Sequence, residues 1–299
     1  MFGQSLSRRE FIKSSGLITL YFTGLSKFFK FNNKIFRLLD DDEKICKAKF
    51  KTFIENGLQE KPISDVIAGV GKSFLGTEYI ANTLEINPKN EQLVVNFEGF
   101  DCVTFVENCL TFARCLKSSN TTYQGFKNEL EYIRYRDGSL DGYTSRLHYF
   151  CDWIYDNSKK GLVKDITRDL GGVLYDKTID FMSTHAKLYK QLTDKVNLDN
   201  IKGIEDSINS RIHYYIPKEK ISNIYDSLNT GDIIATTTTI DGLDVTHTGY
   251  IYKGEDGGTY FMHASSKYKK VIISGNQLSD YIDEDSKKTG IMVARPVEV

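Results

Sequence analysis

The stretch that decides the reading of this chain is 96–116, NFEGFDCVTFVENCLTFARCL. From Cys102 onward, Phe105, Val106, Cys109, Leu110, Ala113 and Leu116 fall at helical spacing, so one face of a helix is apolar and meets a core. Gly99 permits a close approach of the backbone and Asp101 is a good cap, which starts the helix within a residue of Cys102. A thiol placed there meets unpaired backbone N–H groups and the positive end of the helix dipole. Both favour a thiolate of lowered pKa, and the same N–H groups can hold an oxyanion. A buried structural cysteine is the commoner role, so the partners for chemistry must come from elsewhere.

They come from the C-terminal third. From Gly231 the runs GDIIATTT (231–238), VTHTGYIYKG (245–254) and TYFMHASS (259–266) are rich in Ile, Thr, Tyr and Val and are separated by glycine-containing turns. They read as consecutive antiparallel strands, followed by a short helical piece at 278–282 and a final strand, GIMVARP. His247 opens one strand and His263 closes the next, and a hairpin at Gly257 and Gly258 brings them near each other. A thiol, an imidazole to take its proton and a second group to orient the imidazole are the parts of a Cys-His-X hydrolase. A short sheet flanked by helices makes the fold class α+β.

The order of these elements resembles the NlpC-type bacterial cell-wall hydrolases, a papain-like cysteine peptidase superfamily. Six motifs in order, FDCVTFVE, RLHYFCDW, FMSTH, YYIPK, GDIIATTTTIDGLDVTHTG and MHASSKYKKVI, resemble more narrowly the N-acetylmuramoyl-L-alanine amidase-like family, from about residue 60 to the end. The resemblance implies a papain-like antiparallel sheet with the nucleophile helix packed against it. It also implies Cys102 as nucleophile, His247 as general base, His263 orienting His247, the Cys102 backbone N–H as oxyanion donor, and neither metal nor cofactor. The implied substrate is a peptidoglycan fragment (muropeptide), cut between the lactyl carbonyl of N-acetylmuramic acid and L-alanine through an acyl-enzyme. Cleavage after γ-D-glutamate in the stem peptide by the same triad is the alternative, and a non-catalytic muropeptide-binding module is a third reading. Expected substrate contacts are Asp101, Glu107, Arg146, His148 and Tyr79, with Arg146 gripping a peptide carboxylate bidentately. A zinc hydrolase using His247, His263 and Asp101 competes weakly, because no H-E-x-x-H or comparable ligand pair is present.

At the other end, SRREFIK (7–13) matches a twin-arginine export motif and is followed by a modest apolar run to Ser26. The expectation is a signal over 1–31, an exported periplasmic protein, the twin-arginine machinery as a partner, and no stable membrane span after processing. The run is shorter than the roughly 20 apolar residues a span needs. Residues 32–299 then form a single catalytic domain, helical over about 40–225 and β-rich over about 230–299. Within it, 40–82, 123–134 and the segment through Trp153 read as helical, and 197–209 as a polar surface helix. GVGKSFLGTEY lacks the Gly-Lys-Ser/Thr ending of a phosphate loop. A net charge of −1 argues against nucleic acid as a partner. Cysteines at 46, 102, 109, 115 and 151 lack zinc-site spacing, and His185 and His213 read as structural.

Overall fold

A computed structural model describes residues 27–87 and 89–299, with side chains from Asp41 onward. The twin-arginine motif and the apolar run after it lie outside the described residues. In chain order, α1 (Lys27–Glu55) and α2 (Ile63–Lys72) precede two short strands, β1 (Glu78–Tyr79) and β2 (Gly99–Phe100). Three helices follow: α3 (Cys102–Lys117), α4 (Tyr123–Arg134) and α5 (Phe150–Lys159). Next come β3 (Val163–Asp165), β4 (Val173–Leu174), α6 (Phe181–Thr184), α7 (Lys195–Asn209) and β5 (Tyr214–Pro217). The C-terminal part is β6 (Ile233–Thr238), β7 (Val245–Lys253), β8 (Thr259–Ser265), β9 (Lys270–Ile273), α8 (Leu278–Asp283) and β10 (Lys288–Pro296).

Helix α3 begins at Cys102 because Asp101 closes a capping box. Its carboxylate accepts from the Thr104 N–H at 2.8 Å, and Thr104 Oγ1 accepts from the Asp101 N–H at 3.0 Å. The helix is wrapped by α2, α4 and the sheet, so Thr104, Glu107, Asn108 and Thr111 are buried along with its apolar residues. Burial on every side was not expected from a one-faced pattern. It is tolerated because the polar groups bond close to home: Asn108 Nδ2 donates to Thr104 O and Thr111 Oγ1 to Glu107 O, both at 2.7 Å. Beyond α3, rings of Phe50, Phe97, Phe112 and Phe126 meet one another in tilted and edge contacts that tie α1 and α4 to it.

The fold is α+β around one ten-stranded sheet, ordered β2-β1-β9-β8-β7-β6-β10-β5-β4, with β3 also on β10. Strands β6, β7, β8 and β10 are the four runs read as strands after Gly231, and β9 joins them. The other five lie among residues expected to be helical, and each spans only two to four residues. Strands that short carry no usable alternation, which is why sequence pattern passes over them.

Two irregularities shape the centre of the sheet. The β6–β7 register shifts between Thr236 and Thr237, which face His247 and Val245 and leave Thr246 as a bulge residue. The β7–β8 ladder runs from Lys253↔Thr259 to Tyr250↔Met262 and stops, whereas β8–β9 continues to Ser265↔Lys270. Strands β7 and β8 therefore part beside His247. Helix α3 covers the face that carries Tyr250, whose hydroxyl donates to Val106 O at 2.7 Å. Ile251 and Phe261 face the other way, onto Leu278 and Ile282 of α8.

Candidate active site

A cavity of about 240 Å³ opens over Cys102 where α3 meets the parted strands. Its walls come from the start of α3, from Asn82–Glu85 after β1, from Arg146–His148 before α5, and from Leu243–Thr248 leading into β7. His247 Nε2 lies 2.6 Å from Nδ1 of His263. His263 is wholly buried, its ring stacked on Phe261 at 4.7 Å and met edge-on by Tyr281 at 5.0 Å. With Nε2 engaged, Nδ1 is the nitrogen of His247 left for the cavity that it shares with Cys102.

The electrostatics differ from the expectation of an acidic thiol. Backbone N–H groups of Thr248, Cys102 and Val103 do favour the thiolate, but burial, with the Asp101 carboxylate adding to it, pushes the Cys102 thiol up to about 12. Burial, then His263 and Lys288, hold His247 well below the usual histidine range, and burial with Lys288 takes His263 down to about 3. Taken singly, each group is thus pushed towards its neutral form.

The expected contact residues divide. Arg146 and His148 line the cavity. Arg146 is paired with Glu85, lies 3.5 Å from Glu91 and donates to Leu84 O at 3.3 Å, so it pins the preceding loop over the site. His148 is kept neutral by burial, then by Arg146; its Nε2 donates to Tyr143 O at 2.8 Å, which leaves Nδ1 as an acceptor. Glu107 borders the cavity but is bound to Arg134 at 2.7 Å. Asp101 is occupied as the helix cap. Tyr79 is not in the cavity wall, although it lies near enough to Cys102 for thiolate charge, after burial, to raise its phenol. His185 and His213 bond to the carbonyls of Phe181 and Ile208, away from the cavity. All five cysteines are free thiols, and all but Cys102 are buried.

Three residues that sequence reasoning passed over stand beside the pair. Asp244, buried in the cavity wall, accepts from the Cys151 N–H at 2.8 Å and so holds the start of α5. Tyr281 packs on both histidines. Lys288 is buried with Nζ 3.9 Å from the Tyr281 ring centre, and burial brings its pKa down to about 8. Only the place of Asp244 in the loop before His247 offered a sequence signal. The zinc reading does not suit the pair, since two nitrogens on one tetrahedral zinc stand about 3.3 Å apart at bonds of about 2.0–2.1 Å. At 2.6 Å they share a proton.

Comparison with known proteins places the chain in a family. The family model described as AmiA-like, N-acetylmuramoyl-L-alanine amidase-like, matches residues 69–291. A crystal structure of an N-acetylmuramoyl-L-alanine amidase from Bacteroides uniformis is 38% identical, covers 79% of this chain and 99% of its own, and superposes with a TM-score of 0.74. A Bacteroides fragilis protein provisionally named a xylanase is 37% identical over 76% of this chain and 99% of its own, with a TM-score of 0.68. A Legionella pneumophila protein at 22% identity, covering 87% of this chain and 96% of its own with a TM-score of 0.66, shares the fold. No curated protein matches. On the span of the family match and the identity to the Bacteroides uniformis enzyme, this chain belongs to the N-acetylmuramoyl-L-alanine amidase-like family.

Proposed function

We propose that the protein is a cysteine amidase that hydrolyses the bond between the lactyl group of N-acetylmuramic acid and L-alanine in peptidoglycan fragments. The observation that carries this reading is the 2.6 Å bond from His247, in the wall of the cavity over Cys102, to the buried His263. An imidazole tied at Nε2 to a buried partner presents Nδ1 in one orientation, as a base serving a neighbouring thiol must. A nucleophile on the first turn of a helix packed against antiparallel strands is also the arrangement of a papain-like, NlpC-type site.

In this mechanism the Cys102 sulfur attacks the lactyl carbonyl carbon as its proton passes to His247 Nδ1. With the thiol pushed up and the imidazole held down, transfer accompanies attack in this reading. The carbonyl electron pair moves onto oxygen, which the Cys102 N–H receives. His247 then protonates the alanine nitrogen, the C–N bond breaks, and the peptide leaves a thioester on Cys102. Water then gives a proton to His247 Nδ1 as its oxygen attacks the thioester, the C–S bond breaks to release the muramic carboxyl group, and His247 returns the proton to the sulfur. His263 acts through His247, holding its ring. A glycosidase would instead need two carboxyl groups free to face a sugar bond. Asp101, Glu107 and Asp244 are each already bonded within the chain.

The test is mass spectrometry of a disaccharide-tetrapeptide incubated with wild type and with Cys102→Ala. Intact tetrapeptide plus free disaccharide from wild type alone is the expected result. Cleavage after γ-D-glutamate would move the enzyme to the endopeptidase class, and no cleavage by either protein would leave a binding module. Export to the periplasm through Arg8 and Arg9 belongs to the same reading. Replacing both arginines with lysine and following the protein by cell fractionation tests it.

A further inference from the structure

Near the start of β7 one backbone donor is left without a strand to bond. The Ile251 N–H donates to Asp232 O at 2.8 Å, on the β6 side of the strand. Backbone groups of successive residues in an antiparallel strand point to opposite neighbours, so Gly249 and His247 also bond towards β6, whereas Tyr250 and Thr248 are directed at β8. Tyr250 meets its partner there, Met262. For Thr248 the corresponding partner would be Ala264, but the strands have parted and the ladder stops before that pair.

Helix α3 stands where the parting opens. The bond from Tyr250 OH to Val106 O fixes the helix against β7 one turn beyond Cys102, and Thr248, two residues before Tyr250, is on the same face of the strand. Thr248 is 1% exposed, and its hydroxyl donates to Ile234 O at 2.8 Å, which locks the residue in place. Thr248 and Cys102 both line the cavity. Of the three N–H groups that favour the thiolate, that of Thr248 is the one from the opposite wall, next to His247. In the mechanism above the Cys102 N–H is taken up by the carbonyl oxygen. When the C–S bond breaks, its electron pair goes to the sulfur, and the proton that neutralises it comes from His247 Nδ1. Resting on that mechanism, we propose that the Thr248 N–H is a catalytic hydrogen-bond donor to the Cys102 sulfur, holding the charge that the sulfur takes up as the thioester is hydrolysed.

A main-chain donor is tested by exchanging its amide for an ester. Thr248 is replaced by its α-hydroxy acid, which keeps the side chain and loses the N–H, and the same exchange at Ile251 removes a donor that bonds within the sheet. In the Thr248 ester, kcat on the disaccharide-tetrapeptide should fall about tenfold with KM held, and iodoacetamide labelling of Cys102 at pH 9 should slow by about the same factor. Its Tm should match wild type, because no ladder bond is lost at that nitrogen. The Ile251 ester should do the reverse, with Tm lower by about 2–4 °C and with labelling and kcat as in wild type. A Thr248 ester that is labelled at the wild-type rate, or whose Tm falls as far as that of the Ile251 ester, would overturn the inference. Cleavage by wild type after γ-D-glutamate would overturn the amidase reading and leave the donor to be judged by labelling and by kcat for that bond. No cleavage by wild type would overturn both, so the product mass tells the failures apart.

Discussion

Glu107 borders the active-site cavity and sits in the motif that also supplies Cys102, yet its bonding makes it a brace of the fold. Its Oε2 meets Arg134 Nε at 2.7 Å, with the two side chains only 2% and 1% exposed, and Arg134 Nη1 donates to Val94 O at 2.6 Å. Burial pushes the Glu107 carboxyl up and Arg134 pulls it back, and a contact this short favours the ion pair. Glu107→Gln keeps the shape and one acceptor but leaves a guanidinium uncompensated inside the protein, a loss of about 3–5 kcal/mol. The surviving Val94 bond puts the expectation near the lower figure. Against a total stability of about 5–15 kcal/mol the variant still folds at room temperature, with a Tm lower by on the order of 10 °C. Urea and thermal unfolding measure the loss, and kcat/KM at 20 °C should stay within about threefold of wild type because no atom that meets substrate has moved. Replacing both partners with Met should recover much of the loss, since the cost lies in the orphaned charge. Wild-type stability together with a raised KM would refute the argument and return Glu107 to the substrate-contact role its motif suggested.

Three further outcomes follow from the same electrostatics. Lys288 faces His247 and His263 from β10, with Glu284, Asp285 and Lys267 as its other charged neighbours. Lys288→Met lets the histidines protonate more readily, so the acid limb of the kcat/KM profile should move up by about half a unit to one unit, while Lys288→Arg leaves it in place. Asp42 accepts from the Phe97 N–H at 2.9 Å and is pushed up by burial from 3.8 to about 6, so its protonated form is the one that suits the fold. Its contribution is full below about pH 4 and is lost as pH rises through 6, so Asp42→Asn should stabilise at pH 8 relative to wild type and not at pH 4, as read by urea midpoints. Asp244→Ala removes the acceptor for the Cys151 N–H and loosens the loop that carries the cavity wall into β7. It should cost about 1–3 kcal/mol in unfolding and raise KM, and an unchanged urea midpoint would show that the contact is not a strut.

The sequence was most informative where structure is local. A glycine, an aspartate and a cysteine within residues 99–102 mark a capped helix start, and the capping box forms between Asp101 and Thr104. Two β-rich runs around a Gly-Gly turn put His247 and His263 on adjacent strands, and the turn closes with the Gly254 N–H donating to Gly258 O at 2.9 Å. What stayed hidden depends on distant partners. Glu107 and Arg134 are 27 residues apart, and nothing in either neighbourhood announces that each neutralises the other. Lys288 lies between Asp285 and Gly290, and it is buried against the ring of Tyr281 and the neighbouring strand β6.

The thiol is the most instructive case, because one residue acts in two opposite ways. Asp101 starts the helix, which directs the Cys102 and Val103 N–H groups at the sulfur and favours a thiolate. The same carboxylate is a negative charge beside the sulfur, and with burial it outweighs those donors. A sequence pattern registers the cap and not the charge balance, so it points to an acidic thiol at a place where burial and Asp101 push the thiol up. On the other side of the site, burial, then His263 and Lys288, keep His247 from taking up a proton out of solution. A thiol that does not ionise alone, facing a base kept empty, confines proton transfer to the moment the carbonyl carbon is in place to take the sulfur's electrons. On this account the half-buried thiol also resists alkylation in the free enzyme. Iodoacetamide should label Cys102 slowly at pH 7, with a rate that climbs steeply only as pH approaches the thiol's raised pKa, and rapid labelling at neutral pH would show that the resting site is an ion pair after all.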